Sequence, residues 1–244
     1  MIKAVLFDLD NTLLGNDMDV FLPHYFSWCG SFARRFMSED EFMGTLLLAS
    51  RAMVENTDPE VTNSEVFWTR FSELSGLDGE QIETEFDIFY RDEFYRLRDK
   101  TEYSPTASRL MDASVRRGLQ IVIATNPMFP RRAIEARLSW AGVPVTDYAY
   151  DLVTTMENMH ATKPHREYYR EILEKIGCEP SEALMVGDDW ERDIEPAIDL
   201  GLYTFWIPLT GDSRPSGSMP TAQGTLEELA QRIAKGWLQS SQLS

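Results

Sequence analysis

Positive charge is scarce in this chain. Its 244 residues include 23 Lys and Arg against 40 Asp and Glu, a formal net charge of −17. Nucleic acid and anionic membranes both demand clustered Lys and Arg, so neither is expected as a partner. A phosphorylated ligand would have to find positive charge locally, in a metal, a lysine or backbone amides. Cysteine is nearly absent: Cys29 and Cys178 lie far apart and neither belongs to a CxxC, so buried free thiols are expected. No apolar stretch approaches the ~18–20 residues of a membrane span. The amino terminus has one lysine and then acids, without a signal-peptide layout, which points to the cytoplasm.

What is present is a hydrophobic content of 43%, enough for a sizeable core, and a distinctive first line. The run Ile2 to Phe7 leads into Asp8-Leu9-Asp10-Asn11-Thr12-Leu13. An apolar run ending in polar residues reads as a buried strand of a parallel sheet. Ligands of open α/β sheets collect at the carboxyl ends of such strands, which places Asp8 and Asp10 there. Alternation along an extended backbone would point both acids the same way, with Leu9 behind them. Two carboxylates aimed at one spot repel each other and need a cation or a shared proton.

From Leu119 onward, short apolar runs alternate with helical patterns. Leu119–Ala124, Tyr148–Val153, Ala183–Gly187 and Leu202–Ile207 read as strands; Arg131–Trp140, Glu167–Ile176 and Ile194–Leu200 read as helices. The alternation implies right-handed βαβ units and a doubly wound parallel sheet. Asp17 to about Lys100 differs, with helical patterns at Phe21–Met37, Asp40–Val54, Ser64–Leu74 and Gly79–Arg98. Ser38 with Glu41 and Thr62 with Glu65 form candidate capping boxes. Residues 15–102 hold 19 acids and 8 basic residues. The expected organisation is an α/β core of residues 1–14 and 103–244, interrupted by a helical cap over 15–102. A helix at 105–117, opened by Pro105, would return the chain to the core. Gly211–Gly217 reads as a loop and Ser240–Ser244 as a frayed end.

Four short motifs occur in order at strand ends and helix starts. They are Asp8-Leu9-Asp10-Asn11-Thr12, Thr125-Asn126, Lys163-Pro164, and Gly187-Asp188-Asp189 with Asp193 beyond. Each alone has a plain reading: Thr125 as a turn former, Lys163 as a solvated residue before a helix, Asp188-Asp189 as an N-cap. Their convergence on one rim of one sheet raises the odds of chemistry.

With these motifs the sequence resembles the haloacid dehalogenase superfamily of phosphohydrolases. Phe7, Thr12-Leu13, Tyr168-Tyr169 and Asp193-Ile194-Glu195-Pro196-Ala197 extend the resemblance, which covers roughly 1–14 and 103–235. The family places one type of helical cap between its first two motifs, where the acidic helical segment lies. The resemblance implies that Asp8 is the nucleophile, giving an aspartyl-phosphate, and Asp10 the general acid and then base. Thr125 and Asn126 would bind the phosphoryl group, and Lys163 would neutralise charge on it and on the nucleophile. Asp8, the Asp10 backbone carbonyl and Asp188 would hold Mg²⁺, supported by Asp193 and less directly by Asp189. Haloacid dehalogenases lack an acid at position 10, so its presence points to phosphate-ester chemistry.

The resemblance therefore implies a Mg²⁺-dependent phosphohydrolase acting on a small phosphomonoester. A phosphomutase of the same superfamily stays open, as does a catalytically silent phosphate-binding member. A signalling receiver domain also uses an acidic pair, a Thr and a Lys, but the second acidic cluster here follows Lys163. In the cap, His24, Trp28, Arg34, Arg35, Arg51 and Arg70 could face the site, although each reads first as surface or core. His160 is a candidate beside the rim, with a loop residue as its plain reading. The turn Pro127-Met128-Phe129-Pro130 would shape the rim, with Met128 or Phe129 against substrate. The acidic cap favours a small phosphomonoester, sugar-like or nucleoside, over a polyphosphate.

Overall fold

The backbone of β1 (Ala4–Phe7) lies at the centre of a six-stranded parallel sheet. This computed structural model describes residues 1–211 and 217–239; residues 212–216 of the expected loop and the expected frayed end, Ser240–Ser244, lie outside the described residues. The chain continues through α1 (Met18–Ala33), α2 (Glu39–Glu55), α3 (Asn63–Ser75) and α4 (Gly79–Asp92), then α5 (Pro105–Arg116). Next come β2 (Gln120–Ile123), α6 (Arg131–Trp140), β3 (Leu152–Val153), α7 (Arg166–Ile176), β4 (Ala183–Gly187) and α8 (Glu195–Leu200). The described chain closes with β5 (Tyr203–Trp206), β6 (Ala222–Gln223), α9 (Leu226–Ala234) and a short turn at Trp237–Gln239. The strand order is β3-β2-β1-β4-β5-β6, so the chain winds outward in both directions from β1.

A parallel sheet covered on both faces needs strands that are apolar throughout, and every residue of β1 and β4 is buried. Val5 and Phe7 enter one core with Leu110 of α5, Ile134 of α6 and Leu229 of α9. Ala4 and Leu6 enter the other, with Tyr168, Tyr169 and Ile172 of α7 and Ala197 of α8. The fold is a doubly wound, Rossmann-like α/β sheet with a mostly helical segment attached.

Both candidate capping boxes form: the Ser38 and Thr62 side chains accept from the Glu41 and Glu65 amides, and each glutamate reaches back to its cap. Gly177 ends α7 with φ of 63°, a left-handed conformation that suits glycine. Two expected elements are shorter than their patterns. Gly79–Arg98 breaks after Asp92 and continues as a tighter turn over Phe94–Lys100. Tyr148–Val153 contributes only Leu152 and Val153 to the sheet, and the Tyr150 hydroxyl instead donates to the Val143 carbonyl at 2.7 Å. The helical segment leaves and rejoins the sheet at one place: the Gly15 and Glu102 backbones pair, with N···O distances of 3.0 and 2.6 Å.

Leu6 is fully buried at the middle of the central strand. Leu6→Ala should lower unfolding free energy by about 2–5 kcal/mol in urea titrations, the range for a buried Leu that cannot be refilled. A loss below about 1 kcal/mol would contradict its place in the core.

Candidate active site

The rim at the carboxyl ends of β1, β2 and β4 carries three of the four motifs, and the Lys163 loop completes it. Asp8 follows β1, and its amide donates to the Val186 carbonyl at 2.9 Å, extending the ladder by one residue. Beyond it the strand ends. Leu13 and Leu14 turn back to donate to the Leu9 carbonyl, and Asn11 adopts a left-handed φ of 59°. Sheet pairing therefore ends before Asp10, and Asp8 and Asp10 hold different partners.

Lys163 is the partner of Asp8. It is 3% exposed, and its Nζ donates to Asp8 Oδ1 at 2.8 Å and to Asp193 Oδ1 at 2.5 Å. Burial opposes a charged lysine, but Asp193 and Asp8 together raise its pKa well above the ordinary value. Behind it stand Tyr168 and Tyr169 of α7. The Tyr168 hydroxyl donates to the Thr125 carbonyl at 2.8 Å, and that of Tyr169 to the Arg192 carbonyl, tying the second and fourth motifs to α7. Thr125 is buried, and Asn126 Oδ1 accepts from the Lys163 amide at 3.2 Å.

The fourth motif rests on a missing side chain. A Cβ on Gly187 would collide with the Asp193 carboxylate, so only glycine lets Asp193 lie against the end of β4. Asp189 takes its plain reading as an N-cap, accepting from the Glu191 and Arg192 amides at 2.9 and 3.0 Å. Its own amide donates to Asp193 Oδ2 at 3.2 Å. Asp188 is fixed by Thr12, whose Oγ1 donates to its Oδ1 at 3.4 Å, and by Trp206, whose Nε1 donates to its carbonyl at 2.8 Å.

Asp8, Asp10, Thr125, Asn126, Lys163, Asp188 and Asp193 all line one cavity of about 930 Å³. Its far wall comes from α1–α4 and includes Leu22, Tyr25, Phe26, Trp68, Glu80, Glu83 and Asp87; Met128 and Phe129 form part of its rim. The basic lining residues are Lys163, Arg137 and Arg192, all from outside the helical segment. None of the cap candidates His24, Trp28, Arg34, Arg35, Arg51 and Arg70 lines it. Arg34, Arg51 and Arg70 instead pair with Glu39, Glu55 and Glu73 at 2.8–2.9 Å. His160 does not line it either; its Nδ1 lies 2.7 Å from Glu171 Oε1.

Arg137 has no place among the motifs, yet it is 1% exposed and its Nη1 donates to Asp10 Oδ2 at 2.5 Å. An arginine in an amphipathic helix reads as a solvated residue. The available signal was its spacing from Ala133, Ile134 and Ala141, which puts it on the buried stripe of α6.

A family profile described as haloacid dehalogenase-like hydrolase matches residues 2–201. The chain belongs to the haloacid dehalogenase-like hydrolases. Among its relatives are the pyrophosphatase PpaX of Bacillus velezensis, 26% identical over 86% of this chain and 84% of that protein. The pyrimidine 5'-nucleotidase YjjG of Escherichia coli is 34% identical over 54% of this chain and 56% of its own length. A solved haloacid dehalogenase-family phosphatase from Thermococcus onnurineus is 25% identical, covering 96% of this chain and 98% of that one, with a TM-score of 0.59.

Within this hydrolase, Asp8, Asp188 and Asp193 each offer a carboxylate oxygen, and these oxygens lie within 4.8 Å of one another. Burial raises the pKa of all three, helped by Asp10 at Asp8 and by Asp8 at the other two, taking Asp188 to about 8 and Asp193 to about 7. Such a set of hard oxygen donors fits a divalent cation, which would relieve the crowding. Because the folded pKa of Asp188 lies above its ordinary 3.8, the metal-free fold holds protons that the unfolded chain releases. That contribution is present below about pH 4 and is lost as pH rises toward 8. A divalent cation bound there would replace those protons. The rise in Tm on adding Mg²⁺ to chelator-treated protein should therefore be larger at pH 8 than at pH 5 by differential scanning fluorimetry. An equal rise at both would contradict metal binding at this cluster.

Proposed function

We propose that this hydrolase is a Mg²⁺-dependent phosphatase that cleaves a small phosphomonoester through an aspartyl-phosphate on Asp8, with residues 15–102 as its cap domain. The observation that carries the reading is the buried Lys163 ammonium held between Asp8 and Asp193, lining the same cavity as Asp188. A divalent ion on Asp8, Asp188 and Asp193 supplies charge neutralisation that lets an anionic phosphate approach an anionic nucleophile. In the first step an Asp8 oxygen bonds to phosphorus and the ester P–O bond breaks. The electron pair goes to the alcohol oxygen, which takes a proton from Asp10. In the second step water attacks phosphorus, its proton passes to Asp10, and the P–O bond to Asp8 breaks to restore the carboxylate. Lys163 stabilises charge on Asp8 throughout, and Thr125 and Asn126 orient the phosphoryl group.

The cavity wall supports a choice of leaving group. The helical segment contributes apolar and aromatic surface together with Glu80, Glu83 and Asp87, but no basic side chain. A second phosphate would meet like charge there, whereas an uncharged alcohol with an aromatic face would stack and bury apolar area. This supports a nucleoside monophosphate over a polyphosphate, in line with the nucleotidase relative rather than the pyrophosphatase one.

With Mg²⁺ and 4-nitrophenyl phosphate, Asp8→Asn should reduce turnover by at least about 10³-fold, since nucleophile and metal ligand are both lost. Asp10→Asn should slow turnover by about 10²–10⁴-fold, the usual size of general acid–base catalysis. Full activity in Asp8→Asn would sink the aspartyl-phosphate reading. In a substrate panel, kcat/KM should rank nucleoside monophosphates above sugar phosphates and both above pyrophosphate. A preference for pyrophosphate would overturn the leaving-group argument.

A further inference from the structure

The Asp10 side chain is held from two sides by groups that otherwise have little to do. Asn16, 1% exposed, donates from Nδ2 to Asp10 Oδ1 at 2.7 Å, while its own Oδ1 has no partner among the described residues. Arg137 donates from Nη1 to Asp10 Oδ2 at 2.5 Å, and its Nε and Nη2 are buried without a hydrogen bond among the described residues. Its guanidinium lies over the Phe129 ring, 4.6 Å from the centroid. A buried cation with one hydrogen-bonded partner is a poor structural device, because an apolar residue of similar volume commonly serves stability as well or better. It is an effective orienting device, since the guanidinium is rigid and planar and its direction is set by the ring beneath it.

We propose that Arg137, with Asn16 opposite it, is a positioning residue that fixes the orientation of the Asp10 carboxyl for both proton transfers. This rests on the phosphatase reading above. Each carboxylate oxygen has room for two hydrogen bonds, so a clamp using one site per oxygen leaves Asp10 able to exchange a proton with the leaving alcohol and then with water. The proton balance is unchanged by the clamp: Asp10 gives one proton to the alkoxide as the ester bond breaks and takes one from water as the bond to Asp8 breaks. Arg137 and Asn16 touch neither reacting atom. They act through Asp10, which lies beyond the point where β1 has already ended.

The inference reaches past α6 into the helical segment. Phe129 packs edge-on against Tyr25 of α1, with centroids 5.2 Å apart, and Asn16 lies just before α1 begins. Both arms of the clamp are therefore anchored where the helical segment meets the sheet.

The test is a series at position 137 on the full-length protein with Mg²⁺ and 4-nitrophenyl phosphate. Arg137→Met should keep Tm within a few degrees of wild type, while kcat falls about 10–100-fold and KM falls with it so that kcat/KM changes little, as expected when the proton transfer of phospho-enzyme hydrolysis loses its alignment. Arg137→Lys should recover part of kcat, and guanidinium ion should restore turnover to Arg137→Ala. Because 4-nitrophenolate leaves without help, rapid quench should show phospho-enzyme accumulating in Arg137→Met. An Arg137→Met enzyme with wild-type kcat would overturn the inference. So would a loss of kcat that follows a lower Tm and is not restored by guanidinium, which marks a structural role. If wild type itself shows no turnover, or Asp8→Asn costs nothing, the underlying phosphatase reading has failed and this inference falls with it. An active, Asp8-dependent wild type with an indifferent Arg137 rejects the clamp alone.

Discussion

A single ammonium group organises the rim of this sheet. Lys163 is sealed from water and contacts two carboxylates from opposite ends of the sequence, Asp8 and Asp193. A buried lysine without counter-ions would give up its proton; Asp193 and Asp8 hold this one charged, and it in turn opposes the rise that burial imposes on both acids. Much of the local architecture serves that juxtaposition. The two tyrosines of α7 fill the space behind the ammonium, and Gly187 vacates the volume that Asp193 needs. The Asp189 cap starts the turn that carries Asp193 inward.

The second acid of the first motif has partners of its own. Only Leu9 separates Asp8 from Asp10, yet each faces its own buried cation, Lys163 for one and Arg137 for the other. Neighbouring carboxylates can perform different tasks only when their surroundings differ, and here the divergence begins where β1 ends and the backbone folds back on Leu9. The doubly wound sheet supplies a rigid platform; the turn after it supplies the asymmetry.

Much of this was legible in the sequence because the relevant signals are local. Apolar runs marked the central strands, the two capping boxes marked α2 and α3, and the polar residues following each run marked the rim. Arg137 was legible only as a position on the buried stripe of α6, not as a partner of Asp10. Its burial depends on Asp10, more than a hundred residues earlier, and on the ring of Phe129, neither of which helical spacing reports. The edge strand β3 fell short of its pattern because Tyr150 found a partner outside the sheet, a tertiary preference that overrides β-propensity. The arginines of the helical segment were offered as candidates for the cavity. Arg34, Arg51 and Arg70 have glutamates close by in sequence and remain with them on the surface.

The paired backbones of Gly15 and Glu102 place the exit and the return of an 86-residue excursion side by side. A tight turn could bridge that gap without disturbing β1 or α5, so the excursion hangs from the sheet at a single seam. Its length and composition can therefore vary without altering the strands beneath it.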